Sequence, residues 1–341
     1  MIKNQWYIAC FDDELKPGQL LRKKIVGEEI VVFKNKEGVV SVLEDRCCHR
    51  NVHLSEGHVH GNHLKCGYHG WEFDTKGKCV HIPMLEDELS IPKTACVKAY
   101  PIQKKYQAYW VYFGDESKIE KAILPEMPEL DSYPFVHNKH SFKANIKLVA
   151  ESLFDAQHIN HVHKNSIKTL LGKLREPKTD FTIEIKDKSL HGSYQRINNS
   201  SLFEQIYFGW DDYIETKFAY WYPHSSMLDS YFPKHMHFPA RRLVIYEHFY
   251  EIDEEHVMMI QITAWKNIFR FNPPFAKWFM KRKSNQIVEE DIVFLESNKH
   301  WHDKKELTDL IIKGDEPTIS FMQLWNKNFN AKHEELDKKQ A

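Results

Sequence analysis

Two short segments near the start of the chain each pair a cysteine with a histidine, and this feature constrains the fold most. The first is a Cys-x-His pair, Cys47 and His49, and the second is a Cys-x-x-His pair, Cys66 and His69. Sixteen residues, 50 to 65, separate the two pairs. Two loops at this spacing can approach one metal centre from either side, so we expect the surrounding chain to fold around such a centre.

Two thiolates and two imidazoles suit a [2Fe-2S] cluster in which the cysteines bind one iron and the histidines bind the other. Because a neutral imidazole replaces an anionic thiolate, such a cluster has a higher reduction potential than an all-cysteine cluster. A structural zinc site is the alternative, but its usual pairs are two cysteines or two histidines, and both pairs here are mixed. Cys48 directly follows Cys47 and stays an alternative ligand. We interpret Cys10, Cys79 and Cys96 as structural.

A second group of metal-binding residue types follows in the next part of the chain. Asp155, His158 and His163 fit the pattern D-x(2)-H-x(4)-H. Two neutral imidazoles and one carboxylate on one face of Fe(II) leave open positions for O2 and a substrate. A regular helix would place His158 beside His161 rather than beside His163, so helical geometry alone does not choose the second histidine.

Both segments together resemble the Rieske non-haem iron oxygenases, which include ring-hydroxylating and O-demethylating enzymes. The stretch from Arg46 to Pro83 looks like the Rieske domain of this family. Cys48 stands where the family usually has Pro, and Gly67 stands where it often has Pro or Thr, but neither departure removes a ligand. The resemblance implies the following cluster ligands: Cys47 and Cys66 on one iron, and His49 and His69 on the other.

The resemblance also covers the motif in the second half, where it selects His163 over His161. It implies that an aspartate on a late helix completes the mononuclear iron site with His158 and His163. Asp291 best matches that position, and its neighbour Glu290 is the alternative.

Asp155 has a different expected role, and an aspartate that only caps a helix is the alternative. In the family, the equivalent aspartate links a cluster histidine of one subunit to an iron histidine of the next. Asp155 would thus accept hydrogen bonds from His69 of a neighbouring chain and from His158 of its own chain, since a carboxylate can accept from two imidazole N–H groups. This arrangement implies a homotrimer, because a head-to-tail contact must close into a ring.

Short strand patterns dominate residues 1–120, which we assign to an all-β Rieske domain, and residues 121–341 are assigned to a catalytic domain. Strands of the first domain are predicted at 25–33, 39–43, 71–73, 78–82 and 108–113. The second domain has predicted helices at 147–162, 274–301 and 318–329, and predicted strands at 181–196, 218–222 and 243–265, the last broken by a turn at 253–255. The fold class is therefore α+β. The resemblance implies that the second domain is an antiparallel sheet with helices, of the helix-grip, START-like type.

Composition narrows the function further. A net charge of -1 argues against a dedicated nucleic-acid-binding protein. No apolar run approaches the ~20 residues of a membrane helix, and the first residues lack a secretory signal, so we expect no membrane association and a cytoplasmic location. The chain has no G-x-G-x-x-G segment after a predicted strand. We therefore expect NAD(P)H to be used by a separate reductase, acting directly or through a ferredoxin.

These expectations describe a terminal oxygenase that passes electrons from its Rieske cluster to a mononuclear Fe(II), and that hydroxylates or demethylates a small aromatic or cyclic substrate. The opening residues Asn4 to Tyr7 are similar to those of the vanillate O-demethylase and pheophorbide a oxygenase-like branch. Residues 202–210 and 218–222 are candidates for lining the substrate pocket, although core packing explains them equally well. Two other functions stay open: a Rieske electron carrier fused to a ligand-binding domain, and a zinc-stabilised interaction protein.

Overall fold

The computed structural model describes a defined part of the chain: residues 2–86, 91–122, 124–164, 166, 174–177, 180–198, 213–234, 239–269, 273–305 and 310–340. The predicted pocket residues 202–210 lie outside the described residues. The chain divides into two units, which are residues 1–124 with 250–253, and residues 125–249 with 254–341.

Short antiparallel strands make up the first unit. In chain order they are β1 (Gln5–Phe11), β2 (Leu20–Ile25), β3 (Glu28–Lys34), β4 (Val40–Glu44), β5 (His58–His60), β6 (His63–Lys65), β7 (Glu72–Phe73), β8 (Cys79–His81), β9 (Ile102–Lys105) and β10 (Ala108–Phe113). They pair in the orders β1-β10-β9, β2-β3-β4 and β5-β6-β7-β8. The predicted β character of this part of the chain is confirmed.

One buried cluster anchors the two cysteines of the mixed pairs. Cys47 and Cys66 pack with Leu43, Leu64 and Phe73, and the three hydrophobic side chains are fully buried. Burying each such side chain contributes about 1.5–3 kcal/mol to folding. The start of each cysteine–histidine loop is therefore held by the hydrophobic core.

The strand predicted at 25–33 is confirmed for residues 28–33 as part of β3, but its start is wrong, because the chain reverses before Glu28. β2 ends at Ile25, and β3 begins at Glu28. Val26 and Gly27 form the turn with φ of 44° and 76°. A β-branched residue rarely adopts positive φ, so the sequence pattern gave no sign of this turn.

One large sheet and several helices make up the second unit. The strands are β11 (Phe135–Phe142), β12 (Leu174–Pro177), β13 (Thr182–Ile185), β14 (Ser189–Asn198), β15 (Tyr213–Trp221), β16 (Ser225–Phe232), β17 (Arg241–Glu251) and β18 (Val257–Lys266). The helices are α1 (Ile146–Ser152), α2 (Ile159–Val162), α3 (Ala276–Lys305) and α4 (Glu316–Gln340). The strand order is β11-β18-β17-β16-β15-β14-β12, and β13 pairs with β14. The predicted α+β class, with helices on an antiparallel sheet, is confirmed.

Helices α3 and α4 cover the sheet through a shared hydrophobic core. Val288 of α3 and Phe321 of α4 are buried in the same cluster as Met259 of β18. Phe154, in the connection between α1 and α2, stacks on Phe321 with ring centroids 5.2 Å apart and an interplanar angle of 12°. This contact fixes the connection immediately before Asp155.

The predicted helix at 147–162 is wrong in its middle, because α1 ends at Ser152 and α2 begins at Ile159. Asp155 explains the break: its Oδ1 accepts hydrogen bonds from the backbone N–H groups of Gln157 and His158. Such local side-chain bonds compete with a continuous helix.

Another predicted element is divided in two. The predicted strand at 181–196 is the hairpin of β13 and β14, closed where Lys186 N donates to Ser189 O at 2.8 Å. The turn predicted at 253–255 and the two late helices are confirmed by β17, β18, α3 and α4. None of the described helices is both long enough and apolar enough to cross a bilayer.

Candidate metal centres

Two closed loops carry the cysteine–histidine pairs, one after β4 and one after β6. In the first loop, Cys47 N donates to Val52 O at 2.8 Å. In the second loop, Cys66 N donates to Trp71 O at 2.8 Å. Each loop therefore folds back on itself, which presents its cysteine and its histidine on one short arc.

The backbones beside these loops pack very closely. A Cβ atom at Gly67 would lie 2.6 Å from the backbone O of Glu56, and one at Gly57 would lie 2.0 Å from the backbone O of Lys65. Only glycine allows this approach without moving the backbone. The close approach of these backbones therefore explains why this chain has Gly67, and not Pro or Thr, directly after Cys66.

The four predicted cluster residues come together at the tips of the loops. The rings of His49 and His69 lie 4.6 Å apart, and the thiol of Cys47 interacts with that of Cys66 at hydrogen-bonding range. Burial raises the pKa of the Cys47 thiol to about 11. Trp71 stacks on His49 at 4.5 Å and 6°, which fixes the ring.

A buried nitrogen of His49 is the observation that tests the fit of a cluster. His49 Nδ1 is buried and has no hydrogen-bond partner among the described residues. Leaving such an atom unpaired costs about 1–3 kcal/mol, and a metal bond would remove that cost. Two thiols and two imidazoles, one of them with an unsatisfied buried nitrogen, fit a [2Fe-2S] cluster of mixed ligation.

The alternative ligand Cys48 has different surroundings from Cys47. Cys47 is 1% exposed and its thiol lies within hydrogen-bonding range of Cys66, whereas Cys48 is partly exposed and has no such contact with Cys66 among the described residues. The geometry therefore favours Cys47 as the partner of Cys66.

His158, His163 and Asp291 come together in the second unit. One ligand atom from each lies within 4.8 Å of the others. Asp291 Oδ1 is 3.6 Å from His158 Nε2 and 3.1 Å from His163 Nε2. The two histidines stand immediately before and after the single turn of α2, while His161 within that turn is exposed. The break in the predicted helix thus lets residues five apart face one point.

The opposite ring nitrogen of each histidine is already occupied. His158 Nδ1 donates to the backbone O of Asp155, and His163 Nδ1 donates to Glu290 Oε2 at 3.0 Å. Histidines that bind metals usually donate their second N–H in this way. The Nε2 atoms are thereby left directed towards Asp291. Two imidazoles and one carboxylate in this arrangement fit a mononuclear Fe(II) site.

Glu290 is itself held in place. Ser166 Oγ donates to Glu290 Oε2 at 2.6 Å, and Gln286 Nε2 donates to Oε1 at 3.2 Å. Burial opposes ionisation of Glu290, but the hydrogen bonds from Ser166, His163 and Gln286 outweigh it and lower the pKa. Glu290 therefore orients His163, while the adjacent Asp291 faces the other side of the same ring.

The charge states of the two histidines differ in the absence of a metal. Burial lowers the pKa of His158, which favours the neutral ring. Burial also acts to lower the pKa of His163, but the hydrogen bonds to Asp291 and Glu290 outweigh it and raise the pKa. A cation between the rings and Asp291 would take the place of that proton.

Asp155 lies beside this group, but its carboxylate does not accept a hydrogen bond from His158 within one subunit. Oδ2 is 3.8 Å from His158 Nδ1, and the backbone O of Asp155 accepts from that nitrogen instead. This differs from the expected contact, because the carboxylate caps the backbone of Gln157 and His158. Its side chain is 47% exposed, so one oxygen stays accessible.

A cavity adjoins the three candidate iron ligands on the sheet side. Its walls are mainly apolar and include these side chains: Leu153, Phe154, Ile159, Ile214, Phe218, Met227, Leu228, Leu243, Ile245 and Ile287. Phe218 is the member of the predicted group 218–222 that lines it, whereas Tyr220 is fully buried in the core. Such a cavity suits a largely apolar small molecule.

Sequence reasoning missed two ionisable residues in this cavity, Arg196 and Glu247. Arg196 donates hydrogen bonds to the backbone O of Ala156 and to Asn160 Oδ1. It therefore positions the chain on both sides of His158. Both residues lie inside predicted strands, where single polar residues gave no metal-binding pattern. Their position became visible only when the strands paired.

Comparisons with known proteins agree with these arrangements. Residues 5–101 match the family described as Rieske [2Fe-2S] domain. The chain is 32% identical over 185 residues to 4beta-methylsterol monooxygenase of Methylococcus capsulatus, covering 53% of this chain and 50% of that protein. It is 31% identical over 170 residues to the oxygenase component of dicamba O-demethylase of Stenotrophomonas maltophilia, covering 49% of each. The chain thus matches about half the length of these curated relatives.

Solved structures extend the likeness to the whole fold. Dicamba monooxygenase bound to dicamba has a TM-score of 0.80 and 19% identity, covering 97% of this chain and 99% of that chain. Pseudomonas putida CBB5 NdmA has a TM-score of 0.73 and 20% identity, covering 97% and 91%. Both units of this chain therefore have the fold seen in those proteins.

Proposed function

Because this chain belongs to the Rieske non-haem iron oxygenases, we propose that it is a terminal oxygenase that hydroxylates or demethylates a small apolar cyclic or aromatic compound. The observation that carries the proposal is the group of His158, His163 and Asp291 beside an apolar cavity. The donor atoms of this group face one point, and a substrate in the cavity would lie next to it.

The proposed ligands follow from the two sites. Two cysteines and two histidines hold the [2Fe-2S] cluster: Cys47, Cys66, His49 and His69. His158, His163 and Asp291 hold the mononuclear iron. When bound, the cluster supplies single electrons and the mononuclear iron supplies the place where O2 is activated. The electrons come from a separate NAD(P)H-dependent reductase, with or without a ferredoxin.

Residues around the iron ligands keep the site in one arrangement. The backbone O of Asp155 accepts a hydrogen bond from Nδ1–H of His158, and Glu290 accepts one from Nδ1–H of His163. These bonds fix the orientation of both imidazole rings. Arg196 fixes the segment that carries His158. The apolar walls bind the substrate and keep bulk water from the reacting carbon.

The substrate class rests on the cavity and, more weakly, on relatives. By their printed names, relatives act on a methylsterol, toluene-4-sulfonate, vanillate and dicamba, which are cyclic compounds of differing charge. The apolar lining supports a cyclic or aromatic skeleton in this chain as well. The cytoplasmic location stays a prediction.

The homotrimer and the role of Asp155 are parts of the same proposal. Tyr68, next to His69, is 63% exposed, and Leu310 and Phe294, which line a groove with Asp155, are 91% and 59% exposed. A head-to-tail contact between neighbouring chains would cover these apolar side chains. It would also bring His69 of one chain to the accessible oxygen of Asp155 in the next.

Isotope labelling tests the proposed reaction. The purified chain, a general ferredoxin–reductase pair and NADH are incubated with a panel of apolar cyclic compounds under oxygen-18 gas. The expected result is a NADH-dependent hydroxylated product that carries one labelled oxygen atom or, for demethylation, formaldehyde that is trapped as it forms and carries the label, together with a demethylated product that keeps its own unlabelled oxygen. A cluster that is reduced and reoxidised normally, in a chain without the mononuclear iron, would instead support the electron-carrier alternative.

A pair of cysteine variants tests the cluster assignment. Cys47→Ser is expected to abolish the visible absorbance of the Rieske cluster, because a buried thiolate ligand is lost. Cys48→Ser is the matched control and should keep the absorbance and the cluster iron. The reverse outcome would transfer the ligand role to Cys48.

A further inference from the structure

A buried polar network reaches the wall of the cavity at Glu247. Ser226 Oγ donates to Glu247 Oε2 at 2.9 Å, and Gln261 Nε2 donates to Oε1 at 3.1 Å. Gln261 in turn accepts from Ser284 Oγ, which pairs with Thr263 Oγ1. All five side chains are at most 8% exposed. Glu247 is therefore held in a defined orientation by neighbours on β16 and β18.

The carboxyl group of Glu247 can accept further hydrogen bonds from a ligand. An ionised carboxylate can accept about four hydrogen bonds, and the described residues supply two donors. Ser226 and Gln261 line the same cavity as Glu247. In a mainly apolar cavity, the few polar groups at the wall determine orientation and specificity.

The second ionisable group of the wall, Arg196, is engaged elsewhere. Its guanidinium donates to Ala156 and Asn160, on either side of His158. Arg196 lies on β14 and Glu247 on β17, three strands away in the sheet order. Their backbones are thus about 14 Å apart at the usual strand spacing, and the described hydrogen bonds and ion pairs of Arg196 do not include Glu247.

We propose that Glu247 is a specificity-determining residue that accepts a hydrogen bond from a hydroxyl or N–H group of the substrate. This inference rests on the proposed function, whose substrate class it narrows to uncharged or cationic apolar ring compounds that carry such a donor. Carboxylates and sulfonates are disfavoured, because their negative charge would lie near the carboxylate of Glu247 in a mainly apolar cavity.

The electrostatics of the site agree with this assignment. Burial raises the pKa of the Glu247 carboxyl to about 7, and the nearby Asp291 adds to the effect. A donor from the substrate would compensate the cost of the buried charge, as the donors from Ser226 and Gln261 already do in part.

Calorimetry with matched probes tests the proposal without requiring turnover. Anaerobic holoprotein is titrated at about pH 8, above the pKa of about 7 that burial gives Glu247. The probes share one ring: 4-isopropylbenzyl alcohol, its methyl ether and 4-isopropylbenzoate. Wild type is expected to bind the alcohol about 10-fold or more tightly than the ether, the value of one hydrogen bond to a charged group, and the benzoate most weakly.

Two variants separate the hydrogen bond from the charge. Glu247→Met should remove the preference for the alcohol over the ether. Glu247→Gln keeps the shape and an acceptor oxygen, and it should bind the benzoate about 10-fold or more tightly than wild type does. The control Glu215→Gln, on β15 and outside this cavity, should bind all three probes as wild type does.

Three outcomes would overturn the proposal. One is an alcohol that binds no more tightly than its ether, including the case in which neither binds. Another is a Glu247→Gln variant that binds the benzoate no more tightly than wild type does, or a Glu247→Met variant that keeps the full preference for the alcohol over the ether. The third is a wild-type preference for the benzoate, which would assign the anchoring role to Arg196. Because iron content and labelled product are measured separately, failure here is distinct from failure of the proposed oxygenase function.

Discussion

Replacing Asp291 with alanine will remove the mononuclear iron and leave the Rieske cluster in place. Asp291 supplies the carboxylate that lies 3.1 Å and 3.6 Å from the two Nε2 atoms, and two imidazoles alone do not complete the site. Iron analysis should fall from about three to about two irons per chain, with unchanged visible absorbance. Product formation should fall below detection, since O2 activation requires the lost iron.

Glu290→Gln is the matched control for Asp291→Ala, because the two residues are adjacent on α3. Its amide can still contact His163, but it no longer supplies a charged acceptor for Nδ1. The variant should keep the mononuclear iron at high iron concentration and bind it about 10–100-fold more weakly, as expected for a residue that orients a ligand. Loss of the iron in Glu290→Gln together with its retention in Asp291→Ala would reverse the assignment.

Asp155→Asn will keep both metal centres and slow electron transfer between them. The asparagine can still cap the backbone of Gln157 and His158, so the local fold is retained. It lacks the charged oxygen that would accept from a cluster histidine of the neighbouring chain. Stopped-flow reoxidation of the reduced cluster, with O2 and a bound compound, should be about 10–100-fold slower.

Glu151→Gln controls for a change of charge on the same surface. Glu151 lines the groove that also contains Asp155, but it is not expected to bridge subunits. Its reoxidation rate should match that of wild type. A normal rate in Asp155→Asn, or an equal loss in both variants, would contradict the bridge.

The two metal centres were predictable from sequence to different degrees. Both cysteine–histidine pairs are local patterns, so Cys47 and His69 could be named with their partners before any fold was known. The choice of His163 over His161 needed a resemblance to a family. Its physical cause is the break that Asp155 introduces between α1 and α2, and a helical period does not reveal such a break.

Contacts between strands and helices that are distant in the chain could not be predicted from the sequence. Asp291 and Glu290 are adjacent, and only the position of α3 directs one to Nε2 and the other to Nδ1 of His163. Glu247 lies inside the predicted strand at 243–265, where a single acidic residue gave no sign of a site. Its role at the cavity wall depends on hydrogen bonds from β16 and β18, which are set by strand pairing.

Mössbauer spectroscopy of the protein loaded with iron-57 distinguishes cluster iron from mononuclear iron in one sample, and so decides whether the chain binds both. We expect the paired signals of a mixed-ligand [2Fe-2S] cluster and, in about half their combined intensity, a separate signal of Fe(II) bound by nitrogen and oxygen. Asp291→Ala should lose only the separate signal. Wild-type protein that is fully loaded and shows cluster iron alone would mean that His158, His163 and Asp291 do not hold an iron.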